Sequence, residues 1–204
     1  MIHSLPRLRR LNGTSVQLLT QFGRDHGLSI EQCLADTRLN WRLLAEPGAQ
    51  VEAQQELQLI RNLVRHLGHI PGIGLQAGLR YRLSSYGIWG FALLSSPSYR
   101  RAIQLGLRYL DLTCVFHRIH FEEKGHEAIL TFDDQDVPDD LKLFVLERDI
   151  AGALSMQRDL TNTVLPLFSV ELRVPQPADF SPHQTLLGMA PVFDAPANRV
   201  VFSR

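Results

Sequence analysis

The chain has 204 residues, of which 45% are hydrophobic, and its 21 basic side chains balance 21 acidic ones. This is enough apolar chain for one globular domain around a core, and the balanced charge argues against a domain that wraps nucleic acid by itself. Two distant cysteines without metal-ligand spacing, no signal-peptide pattern and no long apolar run together predict a cytoplasmic protein that does not enter a membrane.

The first half of the chain is predicted to be helical. After a solvated arm over residues 1–10, which carries the cluster Arg7, Arg9 and Arg10, apolar residues recur with the period of an α-helix. The predicted helices are one from Thr14 to a stop at Gly27, a short one capped by Ser29 that runs to Leu34, one turn between Asn40 and the break at Pro47-Gly48, and a longer one from Val51 to Leu67 that ends at Gly68.

A central apolar stretch, residues 78–97, contains glycines at 78, 87 and 90 among large aromatic and aliphatic side chains. Glycines in such surroundings predict a close approach of the backbone to a neighbour, or a positive φ. Ser96-Pro97 then predicts the start of an amphipathic helix, because Ser is a preferred N-cap and Pro fits the first helical position. Its inward face is formed by Tyr99, Ala102, Ile103, Leu107 and Leu110.

The second half predicts a β-hairpin, a long helix and further short strands. Period-two alternation predicts strands over Cys114–Phe121 and Glu127–Phe132, followed by a solvated acidic loop, residues 133–138. Asp139 to Arg158 is predicted to form the most apolar helix. Later elements are a strand over Pro166–Val174, a short helix at His183–Leu187, and brief strands at Pro191–Phe193 and Arg199–Phe202. The predicted fold class is α+β: a helical N-terminal half packed on a small, mostly antiparallel sheet with one long helix in the C-terminal half.

Enzyme signatures are weak, since the chain has no phosphate-binding glycine loop, no Gly-x-Ser-x-Gly elbow and no His-Glu-x-x-His helix. The two spaced histidine pairs, His66 with His69 and His117 with His120, are predicted to be surface or hairpin histidines. A haem ligand among them stays open, although no haem motif supports one. Cys33 and Cys114 are predicted to be small buried hydrophobic side chains.

The triplet Glu147-Arg148-Asp149 interrupts the apolar helix. Three consecutive residues cover so much of a helix circumference that at least one charge must lie at the core boundary, where it needs a partner. Two interpretations stand: an ion pair at the rim of the core, with Arg118 as a possible partner, or a charge that faces a cavity and orients a polar effector. Tyr81, Tyr86 and Trp89 have the same two interpretations, because amphipathic aromatics either line a pocket or complete a core.

The motif G-L-R-x-R-L-S-S-Y-G-I-W-G-F-A-L-L-S-S-P-S from Gly78, followed by Ala102 and Arg108-Tyr109, resembles the effector-binding N-terminal domain of AraC-type bacterial transcription regulators. The likeness is to the branch called the arabinose-binding domain, which includes ornithine-utilisation and virulence regulators. It also covers the segments Pro71–Gly78 and Pro182–Phe193. The motif is specific for the family and says almost nothing about the ligand.

The resemblance implies one effector-binding and dimerisation domain over residues 1–204, with a helical subdomain over about 12–111 and an α/β subdomain over about 112–204. It implies a non-enzymatic regulator that binds a small-molecule effector, forms a homodimer, needs no cofactor or metal, and contacts DNA only through a helix-turn-helix module. No such module is expected before Arg204. The rival hypotheses are a haem or gas sensor and a small-molecule enzyme.

A ligand pocket is expected between the segment Tyr81–Phe91, the hairpin Cys114–Phe132 and the helix Asp139–Arg158. Arg148 is the expected charged contact. The candidate ligand-binding residues are Tyr81, Tyr86, Trp89, Phe116, Arg118, Phe144, Glu147 and Arg148.

Overall fold

The computed structural model describes residues 10–44, 46 and 48–204. The predicted arm, with Arg7 and Arg9, lies outside the described residues apart from Arg10, and so does Pro47 of the predicted helix break. Arg10 begins strand β1 (Arg10–Asn12), which pairs antiparallel with β2 (Gln50–Glu52). Val51 therefore belongs to a strand, where the sequence predicted the start of a helix.

The first half is helical, as predicted. Its helices are α1 (Thr14–Asp25), α2 (Ile30–Leu34), α3 (Trp41–Leu44) and α4 (Ala53–Leu67). The predicted caps are confirmed at Ser29, whose Oγ accepts the amide of Gln32 at 3.2 Å, and at Asn40, whose Oδ1 accepts the amide of Arg42 at 2.9 Å.

The central glycines allow three short helices to pack closely. These are α5 (Ile73–Gly78), α6 (Gly87–Leu94) and α7 (Tyr99–Arg108), with 3₁₀ turns at Leu83–Tyr86 and Leu110–Leu112. A Cβ at Gly78 would lie 2.3 Å from the carbonyl oxygen of Arg148, and a Cβ at Gly90 would lie 1.9 Å from that of Leu83. The predicted tight crossing is confirmed.

The N-cap of α7 is Ser98, and the prediction of Ser96 is wrong. The Oγ of Ser98 accepts the amide of Arg101 at 3.3 Å, whereas the hydroxyl of Ser96 donates back to the carbonyl of Ala92 at 3.1 Å. Ser96 therefore closes α6, and the helix that follows begins two residues later than predicted.

The main sheet has four antiparallel strands in the order β3-β4-β6-β5. They are β3 (Arg118–Lys124), β4 (Glu127–Asp133), β5 (Leu167–Glu171) and β6 (Asn198–Ser203), and Val192 adds one parallel bridge to Glu171. Residues 114–117 precede the first strand as a buried segment rather than forming part of it. The acidic loop is not fully solvated as predicted, because Asp134 is buried and pairs with Arg173 at 3.1 Å.

The long helix α8 (Lys142–Thr161) follows a 3₁₀ turn at Asp139–Leu141, and α9 (Ser181–Leu187) precedes the last strand. Phe144 and Val145 of α8 pack into the core of the helical half, while Leu146 and Ile150 pack on the sheet. α8 therefore joins the two halves, and the predicted α+β class is confirmed. In the described residues no helix is long and apolar enough to cross a membrane.

Candidate functional site

A cavity of about 90 Å³ lies where α6, α7, the β3-β4 hairpin and α8 meet, close to the predicted pocket. Its walls are almost entirely apolar. The bordering residues are Trp89, Leu93, Tyr99, Ala102, Ile103, Gly106, Leu107, Leu110, Val115, Ile119, Leu130, Asp149, Ala153, Met156, Gln157 and Leu160. We call this space the first cavity.

Small residues bring the walls of the first cavity together. Gly90 lets α6 rest directly on the 3₁₀ turn beneath it, as its contact with Leu83 requires. Gly106 of α7 leaves room for the indole of Trp89, whose Nε1 donates to the carbonyl oxygen of Gly106 at 3.3 Å. Gly90 of the central motif and Gly106 of α7 thus hold Trp89 at the cavity wall with its polar atom satisfied.

Of the described residues that border the first cavity, Asp149 alone carries a charge. Its Oδ2 accepts a hydrogen bond from Nδ1 of His117 at 2.7 Å, and its Oδ1 accepts from Nε and Nη2 of Arg148 at 2.9 and 2.7 Å. Burial acts to raise the pKa of Asp149, but the positive charge of Arg148 and the His117 hydrogen bond outweigh it and lower that pKa. The cavity therefore has one ionised, fully oriented acceptor.

Arg148 extends this contact into the core. Its Nη1 donates to Oε1 of Glu56 at 3.0 Å and its Nη2 to the carbonyl of Cys114 at 2.9 Å. The guanidinium also lies 5.2 Å from the ring centroid of Phe116. Burial of Arg148 disfavours its charged form, yet Asp149 and its other neighbours raise the pKa of the guanidinium above its ordinary value.

The chain of contacts ends on α1. Ser15 Oγ lies 2.7 Å from Oε1 of Glu56 and 2.7 Å from the hydroxyl of Tyr81. Burial raises the pKa of Tyr81 well above its usual value, so the phenol keeps its proton. Because a carboxylate only accepts, the Ser15 hydroxyl donates to Glu56 and Tyr81 donates to Ser15. We call the set Ser15, Glu56, Tyr81, His117, Arg148 and Asp149 the buried network.

Glu147 points to the other side of α8. Its Oε1 accepts from Nε2 of His183 on α9 at 2.7 Å, and its Oε2 accepts the amide of Gly74 on α5 at 2.9 Å. All three consecutive charges of α8 are buried, more than the sequence required.

The eight predicted site residues divide into four groups. Trp89 borders the first cavity, and Tyr86 packs behind it with ring centroids 5.2 Å apart. Tyr81 and Arg148 belong to the buried network, Phe116 packs against the guanidinium of Arg148, and Arg148 meets the cavity through Asp149. Phe144 and Glu147 lie elsewhere in the core. Arg118 is exposed and pairs with Asp136 at 2.9 Å, so it is not the partner of the α8 triplet that one interpretation gave.

Sequence reasoning missed the contribution of His117 and α7. His117 was predicted to be a surface or hairpin residue, but it is 3% exposed because it lies before the strand and pairs with Asp149. The inward face of α7 was predicted correctly and borders the cavity through Ile103, Gly106 and Leu107.

Both cysteines are buried and free, as predicted. Throughout the described ranges, no cluster of three or more His, Cys, Asp or Glu side chains could hold a metal ion.

These features define a class of protein: an α+β domain with an apolar cavity beside a buried charge network. The chain belongs to the family described as the arabinose-binding N-terminal domain of AraC transcription regulators, whose model matches residues 27–204. The resemblance carried by the central motif is confirmed. The family consists of transcription regulators rather than enzymes.

Relatives support the same assignment. The chain is 27% identical to the HTH-type transcriptional regulator Rv1395 of Mycobacterium tuberculosis over 194 residues. The matched residues make up 93% of this chain and 56% of that regulator. It is 24% identical over 172 residues, 84% of this chain, to half of the ornithine utilization regulator of Pseudomonas aeruginosa. The crystal structure of the transcriptional regulator CdpR from Pseudomonas aeruginosa shares the fold, with a TM-score of 0.65, 20% identity, and coverage of 93% of this chain and 54% of that one. The chain spans about half the length of the relatives it matches.

Proposed function

We propose that this chain is the effector-binding and dimerisation domain of an AraC-type transcription regulator, and that the effector occupies the first cavity. The observation that carries the proposal is the position of Asp149. It is the one charged residue among the described residues that border the first cavity, and it is bonded to Arg148, which in turn contacts Glu56 of α4. A molecule in the cavity would therefore touch a group that both halves of the domain hold in place.

The walls favour a compact apolar molecule with one hydrogen-bond donor, such as an amine or an alcohol. The carboxylate of Asp149 already accepts three hydrogen bonds and has room for about one more, so it would receive a single donor and repel an anion. A pentose fits poorly, because most of its hydroxyl groups would face apolar walls without partners. We propose Trp89 as a direct contact. Tyr81, Tyr86, Phe116 and Arg148 would support the site from behind.

An effector regulates only if it binds two states of the protein with different affinity. We infer that occupation of the first cavity shifts Asp149 and, through the buried network, the packing of α8 against the helical half. Residues 1–204 would act as one domain, with a helical subdomain over about 12–111 and an α/β subdomain over about 112–204. DNA would be contacted by a separate helix-turn-helix module, in a cytoplasmic homodimer.

The site can be tested with a matched ligand series: an amine, an alcohol and a carboxylate that share one branched or cyclic body of four to six carbon atoms. We expect the amine and the alcohol to raise the melting temperature. A hundredfold excess over Kd adds about 2.7 kcal/mol, or several degrees for a domain of this size. Ile103→Trp, which fills the cavity, should abolish the shift. Leu43→Trp changes an exposed site and should leave it unchanged.

Two results would contradict the proposal. One is a series in which no compound raises the melting temperature of the wild type. The other is an equal shift in Ile103→Trp and in the wild type, which would mean that the compounds bind elsewhere. A carboxylate that binds better than the amine, and whose binding is lost in Ile103→Trp, would overturn the role given to Asp149.

A further inference from the structure

A second cavity, larger than the first, lies on another flank of α8. It measures about 290 Å³ and is enclosed by α5, α8, β5 and α9. Its walls are mostly aliphatic side chains from all four elements, among them Leu75, Leu154, Leu167 and Leu186, with Met189 after α9. The volume equals about ten times the liquid volume of a water molecule, so the second cavity could hold an apolar body of about ten carbon atoms.

The two cavities are divided by a narrow space. Between α8 and the sheet about 20 Å³ remains free, which is room for a water molecule but too little for an organic ligand. Gln157 borders both cavities as a fixed wall. Its Nε2 donates to Oγ1 of Thr161 at 2.6 Å and to the carbonyl of Thr163 at 3.0 Å, while its Oε1 accepts the amide of Leu165 at 3.3 Å.

The charged residue that borders the second cavity is a cation, whereas the one that borders the first cavity is an anion. Arg158 lines it and is exposed to solvent, and within the described part of the chain its guanidinium has no ion-pair or side-chain hydrogen-bond partner. The neighbouring acid, Asp159, is already committed: its Oδ2 accepts from Nε of Arg82 at 2.9 Å and from the amide of Leu83 at 3.0 Å. The guanidinium of Arg158 is therefore available to a ligand at the rim of the second cavity.

We propose that the second cavity is a binding site for an apolar carboxylate, with the body inside and the carboxylate paired to Arg158 at the rim. A carboxylate placed deeper would lose its hydration without a partner, which fixes the orientation. An amine would be repelled by the guanidinium, and an uncharged molecule would leave it unpaired. This site is distinct from the proposed effector site in position, size and preferred charge.

The probe is 4-phenylbutyrate, which has ten carbon atoms and one carboxylate, compared with 4-phenylbutan-1-ol and 4-phenylbutylamine. Binding is measured by calorimetry at fixed salt. We expect saturable binding of the carboxylate and weaker binding of the alcohol and the amine. Leu186→Trp, which fills the second cavity, should abolish binding. Ile103→Trp, the matched change in the first cavity, should preserve it. Met189→Trp replaces Leu186→Trp if that variant does not fold.

The charge assignment has its own matched pair. Arg158→Gln should weaken binding about fivefold, as expected for one exposed ion pair, whereas Arg65→Gln on the exposed side of α4 should not change it. The proposal is overturned if the wild type shows no saturable binding, or if binding survives Leu186→Trp and is lost in Ile103→Trp. Equal affinity of Arg158→Gln and wild type would overturn the pairing with Arg158.

Discussion

Arg148 joins three parts of the domain. Its side chain contacts Asp149 on its own helix, Glu56 on α4 and the carbonyl of Cys114 in the segment before β3. A buried guanidinium is tolerated only when carboxylates and carbonyl oxygens satisfy its donors, and here they come from both halves of the domain. Removal of one residue of the buried network would therefore leave its charged partners buried and unpaired.

Arg148→Ala should destabilise the domain by about 3–5 kcal/mol, because it leaves the carboxylates of Glu56 and Asp149 buried without their cation. Urea unfolding measures this loss. Arg118→Ala is the control: it removes an exposed ion pair with Asp136 and should cost about 1 kcal/mol or less. If both variants unfold at the same urea concentration as the wild type, the buried network does not contribute to stability as argued.

Asp149 predicts how stability depends on pH. Its pKa is lowered in the folded state, so its contribution is present above the unfolded value of about 3.9 and is lost as the pH falls through the folded value. The free energy of unfolding should therefore decline below about pH 4. Asp149→Asn should be less stable at pH 7 and show a shallower decline. Asp136→Asn, an exposed control, should keep the wild-type slope; an unchanged slope in Asp149→Asn would refute the argument.

The sequence identified the charged triplet but not its partners. Three adjacent charges on an apolar helix require at least one near the core, and that inference needs only helical geometry. The partner of Arg148 is Glu56, 92 positions away, and the partner of Asp149 is His117, 32 positions away. Neither spacing leaves a local pattern. His117 in particular follows the alternation of a strand that begins only at Arg118.

Among the elements, periodicity predicted the long helices and the strands Glu127–Phe132 and Arg199–Phe202 well, and it missed the two short strands β1 and β2. The sequence extended the helix of α4 back to Val51, but the pairing of Val51 with Leu11 makes it part of strand β2. Strands of three residues exist because of a partner that is remote in sequence. The first cavity lies beside the elements between which a ligand pocket was expected, and its use as a binding site stays a prediction. Its lining also includes α7, which the sequence had assigned only to the core.

The close contact between α6 and the turn before it can be tested with two glycines of opposite expectation. A Cβ at Gly90 would lie 1.9 Å from the carbonyl oxygen of Leu83, so Gly90→Ala should cost about 1–3 kcal/mol. At Gly152 on α8 the nearest atom would be 3.6 Å away, so Gly152→Ala should be neutral or stabilise by up to about 1 kcal/mol. Thermal melts of both variants compare them directly. Equal melting temperatures would show that α6 can shift freely.

At the scale of the whole molecule, α6 has two apolar sides. Trp89 and Leu93 border the first cavity, while Ile88, Phe91 and Leu94 on the outer side are 83%, 70% and 55% exposed. A helix that is apolar all round is normally covered on every side, and a contiguous exposed apolar patch is typical of an interaction surface. A second copy of the chain related by twofold symmetry would cover both patches at once.

We expect the chain to form a homodimer through this outer face of α6. Phe91→Asp should convert it to a monomer at concentrations where the wild type is dimeric, because each protomer would bring a charge into the centre of a symmetric apolar contact. Leu43→Asp places the same charge on an exposed leucine of α3 and should leave the dimer intact. Light scattering coupled to gel filtration gives the mass of each variant. A wild type that stays monomeric at high micromolar concentration would refute the dimer. Equal dissociation by the two substitutions would mean that α6 is not the interface.

Because α6 also forms a wall of the first cavity, a ligand bound there should shift the dimerisation constant of the wild type, and Ile103→Trp should remove that response.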